Sequence, residues 1–261
     1  MVNLSVKEIG IRLRKAGRLE TFPLCVYGTK TVPENAVSSC KIDRCIAKSI
    51  FKLATTKNIN SIYLGQETLE GCCPGGQAWF GYKPFLPQLK YFISTGTKEF
   101  RGGAAEYLLA DPDIADQQLK SVGKITPLGE YTVIKKSEFT DELDIEVRSF
   151  LCFGRSEQIR NLCSLAYFHD EKGSMATIPW GPSCASFITY PADLTETIHE
   201  SSIVVGPTDP TGNFWFPENY LSLGIPFDIA SRMAKDLDSS FIVKRPNVAF
   251  PTKRISTTPQ D

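Results

Sequence analysis

Eight cysteines stand against two histidines in a chain of 261 residues, and two of them are adjacent in Gly71-Cys72-Cys73-Pro74-Gly75-Gly76. A chain of this length buries a core without covalent staples, so its cysteines are not needed as a disulfide scaffold. No secretory n-region, apolar h-region or cleavage site opens the sequence. The expectation is a cytoplasmic protein whose thiols stay reduced and serve as core fillers or as ligands.

Charge narrows the field. The 29 basic and 29 acidic residues cancel and neither sign gathers into a block, which argues against nucleic-acid binding by a basic field. The longest apolar runs, such as Ile203-Val204-Val205, are too short to cross a bilayer. The aromatic run Trp79, Phe80, Tyr82, Phe85, Tyr91 and Phe92 suits a core, and a homo-oligomer would also use it.

The pattern predicts one α+β domain spanning 1–261, with a mixed sheet and flanking helices. Residues 1–19 read as an N-terminal amphipathic helix, with Ser5 and Glu8 in capping-box spacing and Gly17 as its stop. A strand is expected over 23–28 and another over 61–65, with a helix between them over 35–58 carrying Ile42, Ile46, Ile50 and Leu53 at helical spacing. A further helix is expected over 102–109, stopped by Asp111-Pro112. The second half offers a strand over 146–153, a helix over 156–168, an extended piece over 175–179, a Cys turn at 181–185, a strand over 201–205 and a helix over 227–237. Residues 247–261 read as a loosely packed arm. The succession strand, helix, strand, Cys-bearing turn occurs in both halves, which suggests two degenerate units with Cys73 and Cys184 as counterparts.

No Cys-x-x-Cys pair, ferredoxin run, zinc-ribbon spacing or His-Glu-x-x-His is present, so a metal site must be assembled from distant segments. On a regular helix Cys40 and Cys45 lie about 140° apart at ~100° per residue, and Cys45 is the one on the Ile42/Ile46 side. Successive side chains of an extended segment face opposite ways. Cys73 is favoured over Cys72 because Pro74 suits a helix or turn start and Gly75-Gly76 leaves backbone N–H groups free to reach a thiolate. Cys184 sits in a comparable turn, Gly181-Pro182-Ser183-Cys184. Three thiolates, Cys45, Cys73 and Cys184, suit a [4Fe-4S] cubane with one iron lacking a protein thiolate; Cys40 and Cys72 are reserves. Cys25, Cys152 and Cys163 fall at strand or helix positions and read as core. His169-Asp170 and His199-Glu200 have no spacing that announces a nucleophile–base dyad.

Four stretches together resemble a known family, the domain-of-unknown-function family 169 (DUF169), found mainly in anaerobic bacteria and archaea, including methanogens. They are Arg44-Cys45-Ile46-Ala47, the Cys73-to-Gly81 segment, Ser183-Cys184-Ala185 and Leu223-Gly224-Ile225-Pro226. The resemblance runs from about Phe22 to Ile242 and singles out the same three cysteines. It departs near the Gly206-to-Gly212 turn, where a Cys or Arg is expected in relatives and this chain has Asp209 and Asn213. The resemblance implies anaerobic metabolism and supplies no reaction.

The leading expectation is an iron-sulfur protein whose open iron binds a substrate or small ligand, in the manner of Lewis-acid dehydratases or desulfidases that resemble this three-thiolate arrangement. Gln77, Asp209 and Asn213 are expected to line the pocket. Two alternatives stand beside it: an electron carrier or redox sensor with a fully thiolate-ligated cluster, and a cofactor-free binding or structural protein.

Overall fold

In the central strands, buried side chains lie on both faces. Leu24 and Val26 of β1 (Leu24–Thr29) point to one face and Cys25 to the opposite one; in β5 (Val147–Arg155), Leu151 and Phe153 share the first face while Phe150 and Cys152 share the second. Such two-sided burial requires layers on both faces of the sheet. The computed structural model, which describes residues 4–140, 145–171, 173–195 and 202–251, supplies both.

On the second face lie α1 (Val6–Gly17), α7 (Ser156–Ala166) and α8 (Phe227–Asp236). Ile9, Leu13 and Ala16 of α1 are buried there with Ile159, Leu162, Ile229 and Met233, at roughly 1.5–3 kcal/mol for each large aliphatic side chain. The expected capping box closes α1: the Ser5 N–H donates to Glu8 Oε2 at 2.7 Å and the Glu8 N–H donates to Ser5 Oγ at 3.2 Å. Cys25 and Cys152 are fully buried in this core and Cys163 packs against it, as the strand and helix positions led us to expect.

The first face is covered by α3 (Ile46–Thr55), α4 (Pro74–Trp79) and a π-helix over Ala185–Thr189. The expected helix over 35–58 is broken into three. β2 (Val37–Ser38) and α2 (Ser39–Ile42) precede an extended Asp43 whose Oδ1 accepts the Cys45 N–H at 3.1 Å. That side-chain acceptor competes with the helical ladder, and α3 starts afresh with Cys45 as its N-cap.

The eight strands order as β2-β3-β4-β1-β5-β8-β7-β6, where β3 is Ser61–Gly65, β4 Tyr131–Lys136, β6 Ala176–Thr177, β7 Ile203–Gly206 and β8 Tyr220–Pro226. β2 pairs parallel with β3, and β6 with β7; all other pairs are antiparallel. The halves β1–β4 and β5–β8 therefore repeat one another in order and direction, related by a pseudo-two-fold axis through the β1–β5 pair. The duplication is present, but its register differs from the expected one. The 175–179 piece corresponds to β2, so the Cys184 turn is the counterpart of the Cys45 turn, and Cys73, between β3 and β4, corresponds to the 207–219 connection. Helix α7, inserted between β5 and β6 without a partner in the first half, is what shifts the register of the repeat.

The halves differ most in the connection to their fourth strand. In the second it is 207–219; in the first it is 66–130, and includes α4, α5 (Leu89–Phe92) and α6 (Pro112–Ser121). Asp111-Pro112 opens α6 instead of stopping a helix: Asp111 Oδ1 accepts the N–H groups of Asp113 and Ile114 at 2.9 and 2.8 Å, and Pro112 takes the first position. No α-helix forms over 102–109. Gly102 and Gly103 adopt φ of 64° and 90°, and the N–H groups of Glu106 and Leu108 turn back to the carbonyls of Phe92 and Ile93.

The chain then runs into α9 (Phe241–Lys244) and α10 (Pro246–Ala249). Of the expected arm, the start is docked: Ala249 is buried, its carbonyl accepts from Asn161 Nδ2 at 2.7 Å, and Phe250 lies 3.8 Å under the Arg18 guanidinium. Residues 252–261 lie outside the described residues. Among the described residues no helix is long and apolar enough to cross a membrane.

Candidate functional site

Three connections on the first face converge on one cavity of about 290 Å³, and each brings a cysteine: Cys45 at the start of α3, Cys73 at the start of α4 and Cys184 at the start of the π-helix. These are the three cysteines singled out in the sequence. Cys45 and Cys184 are topological counterparts, so the cavity is built where the two halves meet. Short π-helical turns are frequent at functional sites.

The first turn of α3 organises the thiols. The backbone N–H groups that open a helix have no intrahelical acceptor and carry partial positive charge. Here the Ile46 N–H donates to the Cys73 sulfur and the Ala47 N–H to the Cys184 sulfur, while the Lys48 N–H approaches Cys45 without forming a capping bond. Cys45 and Cys73 hydrogen-bond to each other, which draws the Cys73 thiol well below its ordinary pKa, helped by the N–H groups of Ile46 and Gly76. The same bond and burial push Cys45 up, so it keeps its proton. Cys184 is raised by burial and then by the Cys73 charge. One thiolate and two thiols result.

Gly76 is needed for this approach. A Cβ there would stand 2.7 Å from Ile46 Cδ1 and 3.0 Å from Cys73 Sγ, closer than packed atoms tolerate.

The adjacent Cys72 faces the other way, as alternation requires, and is bonded to Cys40 in a disulfide. The expectation that all thiols stay free is corrected, and Cys40 and Cys72 are not reserves for a fourth thiolate: they are committed to each other. The bond ties α2, just ahead of Cys45, to the turn that carries Cys73. Gln77 belongs to this scaffold and does not line the cavity; its Nε2 donates to the carbonyls of Leu69 and Cys72 at 3.0 and 2.9 Å.

Asp209 and Asn213 do line the cavity. The Ser183 hydroxyl donates to Asn213 Oδ1 and the Asn213 amide to the Asp209 carbonyl, which fixes the Cys184 turn to the 207–219 connection. By the repeat, these two residues occupy the region that corresponds to Cys73. Arg101 and Glu106 also face the cavity; nothing in the residue pattern pointed to them, because the helix expected over 102–109 hid the loop that places them. The rest of the wall is apolar and aromatic, with Phe85, Leu89, Phe92, Phe100 and Trp180 among it. His169 is elsewhere, its Nδ1 2.7 Å from Asp236 Oδ1 of α8, and His199 lies outside the described residues. Among the described residues no three or more His, Cys, Asp or Glu side chains are gathered as they would be around a single metal ion.

No curated protein and no solved structure matches the chain. One family model does, over residues 12–236, that of DUF169, described as "Uncharacterised ArCR", and by that match across most of its length the chain belongs to the DUF169 family.

Proposed function

We propose that the protein is an iron-sulfur protein of the cytoplasm, with a [4Fe-4S] cluster held by Cys45, Cys73 and Cys184 and a small-molecule ligand bound beside it in the cavity. The observation that carries this reading is the meeting of three cysteines from three connections at the first turn of one helix, in the wall of a cavity. A cubane takes one thiolate per iron. The donor set also fits: backbone N–H groups of Ile46, Ala47 and Gly76 directed at sulfur are the kind of contacts that tune such clusters, and Gly76 leaves room beside Cys73. With three thiolates, a bound cluster would supply one Lewis-acidic iron to the cavity. Around it, Asn213 and Ser183 position the Cys184 turn, the apolar wall excludes water, and Asp209 brings a charge close to Cys184.

The test is iron and sulfide analysis of protein prepared without oxygen. The reading expects about four of each per chain, their loss in C73S and C184S, and their retention in C25A and C163A. Stoichiometric zinc without iron, or full iron in both serine variants, would sink it.

A second reading rests on the Cys45–Cys73 hydrogen bond beside the Cys40–Cys72 disulfide: a thiol-based redox sensor without a cluster. Iron-free protein in which mild oxidation links Cys45 to Cys73 would favour it.

A further inference from the structure

The cavity wall is mostly apolar, with Arg101, Glu106 and Asp209 among the residues that line it. Among the described residues that line it, Arg101 is the only cation. Its backbone is strained: Arg101 has φ 51°, followed by Gly102 at 64° and Gly103 at 90°, three successive left-handed residues. A side-chain-bearing residue adopts that conformation only where its surroundings enforce it, and such positions cluster at ligand clamps. Here the enforcement is local: the Gly103 N–H donates to the Phe100 carbonyl at 3.1 Å and the Glu106 N–H to the Phe92 carbonyl at 2.7 Å.

The strained backbone puts the guanidinium in a defined place. Its central carbon lies 4.5 Å from the centre of the Phe92 ring and 5.6 Å from that of Phe100. A guanidinium held by its face on an aromatic ring keeps its N–H edge free for a planar two-oxygen anion. Among the described residues no carboxylate stands within ion-pair distance of it. Burial and the neighbouring Asp209 raise the Glu106 carboxyl above its ordinary range, against a hydrogen bond with Thr211 and the field of Arg101.

We infer that the cavity binds an organic anion with a flat apolar body, its carboxylate or sulfonate on Arg101, its body among the aromatic side chains and its far end toward the three cysteines. What then happens to that far end rests on the reading of the cysteines as a cluster site; the binding itself does not.

Two fluorescent probes with the same body test this: 8-anilinonaphthalene-1-sulfonate, and N-phenyl-1-naphthylamine, which lacks the sulfonate. Wild-type protein should bind the anion more tightly. Arg101→Gln should weaken the anion about tenfold, the loss of one charge-assisted contact, and leave the neutral probe unchanged, whereas Leu89→Ala should weaken both alike. An Arg101→Gln variant that binds both probes as the wild type does, or loses both equally, overturns the inference. Iron measured on the same preparations separates the two proposals. Wild-type protein without iron that keeps the preference defeats the cluster reading and supports the anion site, and iron-containing protein without the preference defeats the anion site alone.

Discussion

Cys45 and Cys73 share a hydrogen bond in which only one can be the thiolate, and the first turn of α3 assigns it to Cys73. A lowered thiol pKa leaves nucleophile present at neutral pH, and the rate of alkylation rises as pH climbs through the folded value. In metal-free protein, therefore, iodoacetamide should label Cys73 with a pH midpoint well below the ordinary thiol range, and Cys45→Ala, which removes the donor, should move that midpoint upward. A Cys73 midpoint at or above about 8.5 would show that the N–H groups do not act as described. Gly76→Ala tests the same spot sterically. Its methyl group would displace Ile46 or the Cys73 sulfur, at a cost of roughly 1–3 kcal/mol in stability by overpacking, and loading of iron should fall more than thermal stability does. The three cysteines were legible because each sits at an abrupt start of structure. The Arg101 site was not, since a left-handed arginine leaves no mark in composition or spacing.

Among the elements, α2 and the Cys73 turn are joined by a bond across 32 residues. Closing a loop of that size restricts the unfolded chain by about 3–4 kcal/mol, so Cys40→Ser, or treatment with a reductant, should lower unfolding stability by up to that amount, read by chemical denaturation under oxidising and reducing conditions. Unchanged stability on reduction would mean that the bond constrains nothing. The sequence argued against this disulfide because free thiols were inferred from an expected compartment, and a compartment does not state which thiols stand close. Where local signals were physical they held: α1 kept its capping box and α8 its start at Phe227. β4 escaped notice because its Lys135-Lys136 end reads as surface, although Lys136 is buried, with Nζ donating to the Thr56 carbonyl at 2.6 Å. The Asp-Pro at 111–112 was read in the wrong direction, since that pair both ends and begins helices.

At the scale of the whole molecule, the cavity belongs to neither half. Cys45 and Cys73 come from the first and Cys184, Asp209 and Asn213 from the second, while Phe51 packs against Phe153 and Phe216 at centroid distances of 5.2 and 5.1 Å across the junction. Whatever fills the site should therefore tighten both halves together. Hydrogen exchange should slow at the first turn of α3 and at the π-helix in the same preparation on loading; slowing confined to one of them would contradict a shared site. The repeated strand order was visible in the sequence only as a rhythm, because the unmatched α7 shifted its register. The unequal connections to β4 and β8 have a last consequence. A two-fold cavity would accept a guest in either of two opposite poses, whereas here one half supplies a long roof bearing Arg101 and the other a short polar rim bearing Asp209, so the walls differ and the guest has a head end and a tail end. The broken symmetry gives the site a sense of direction.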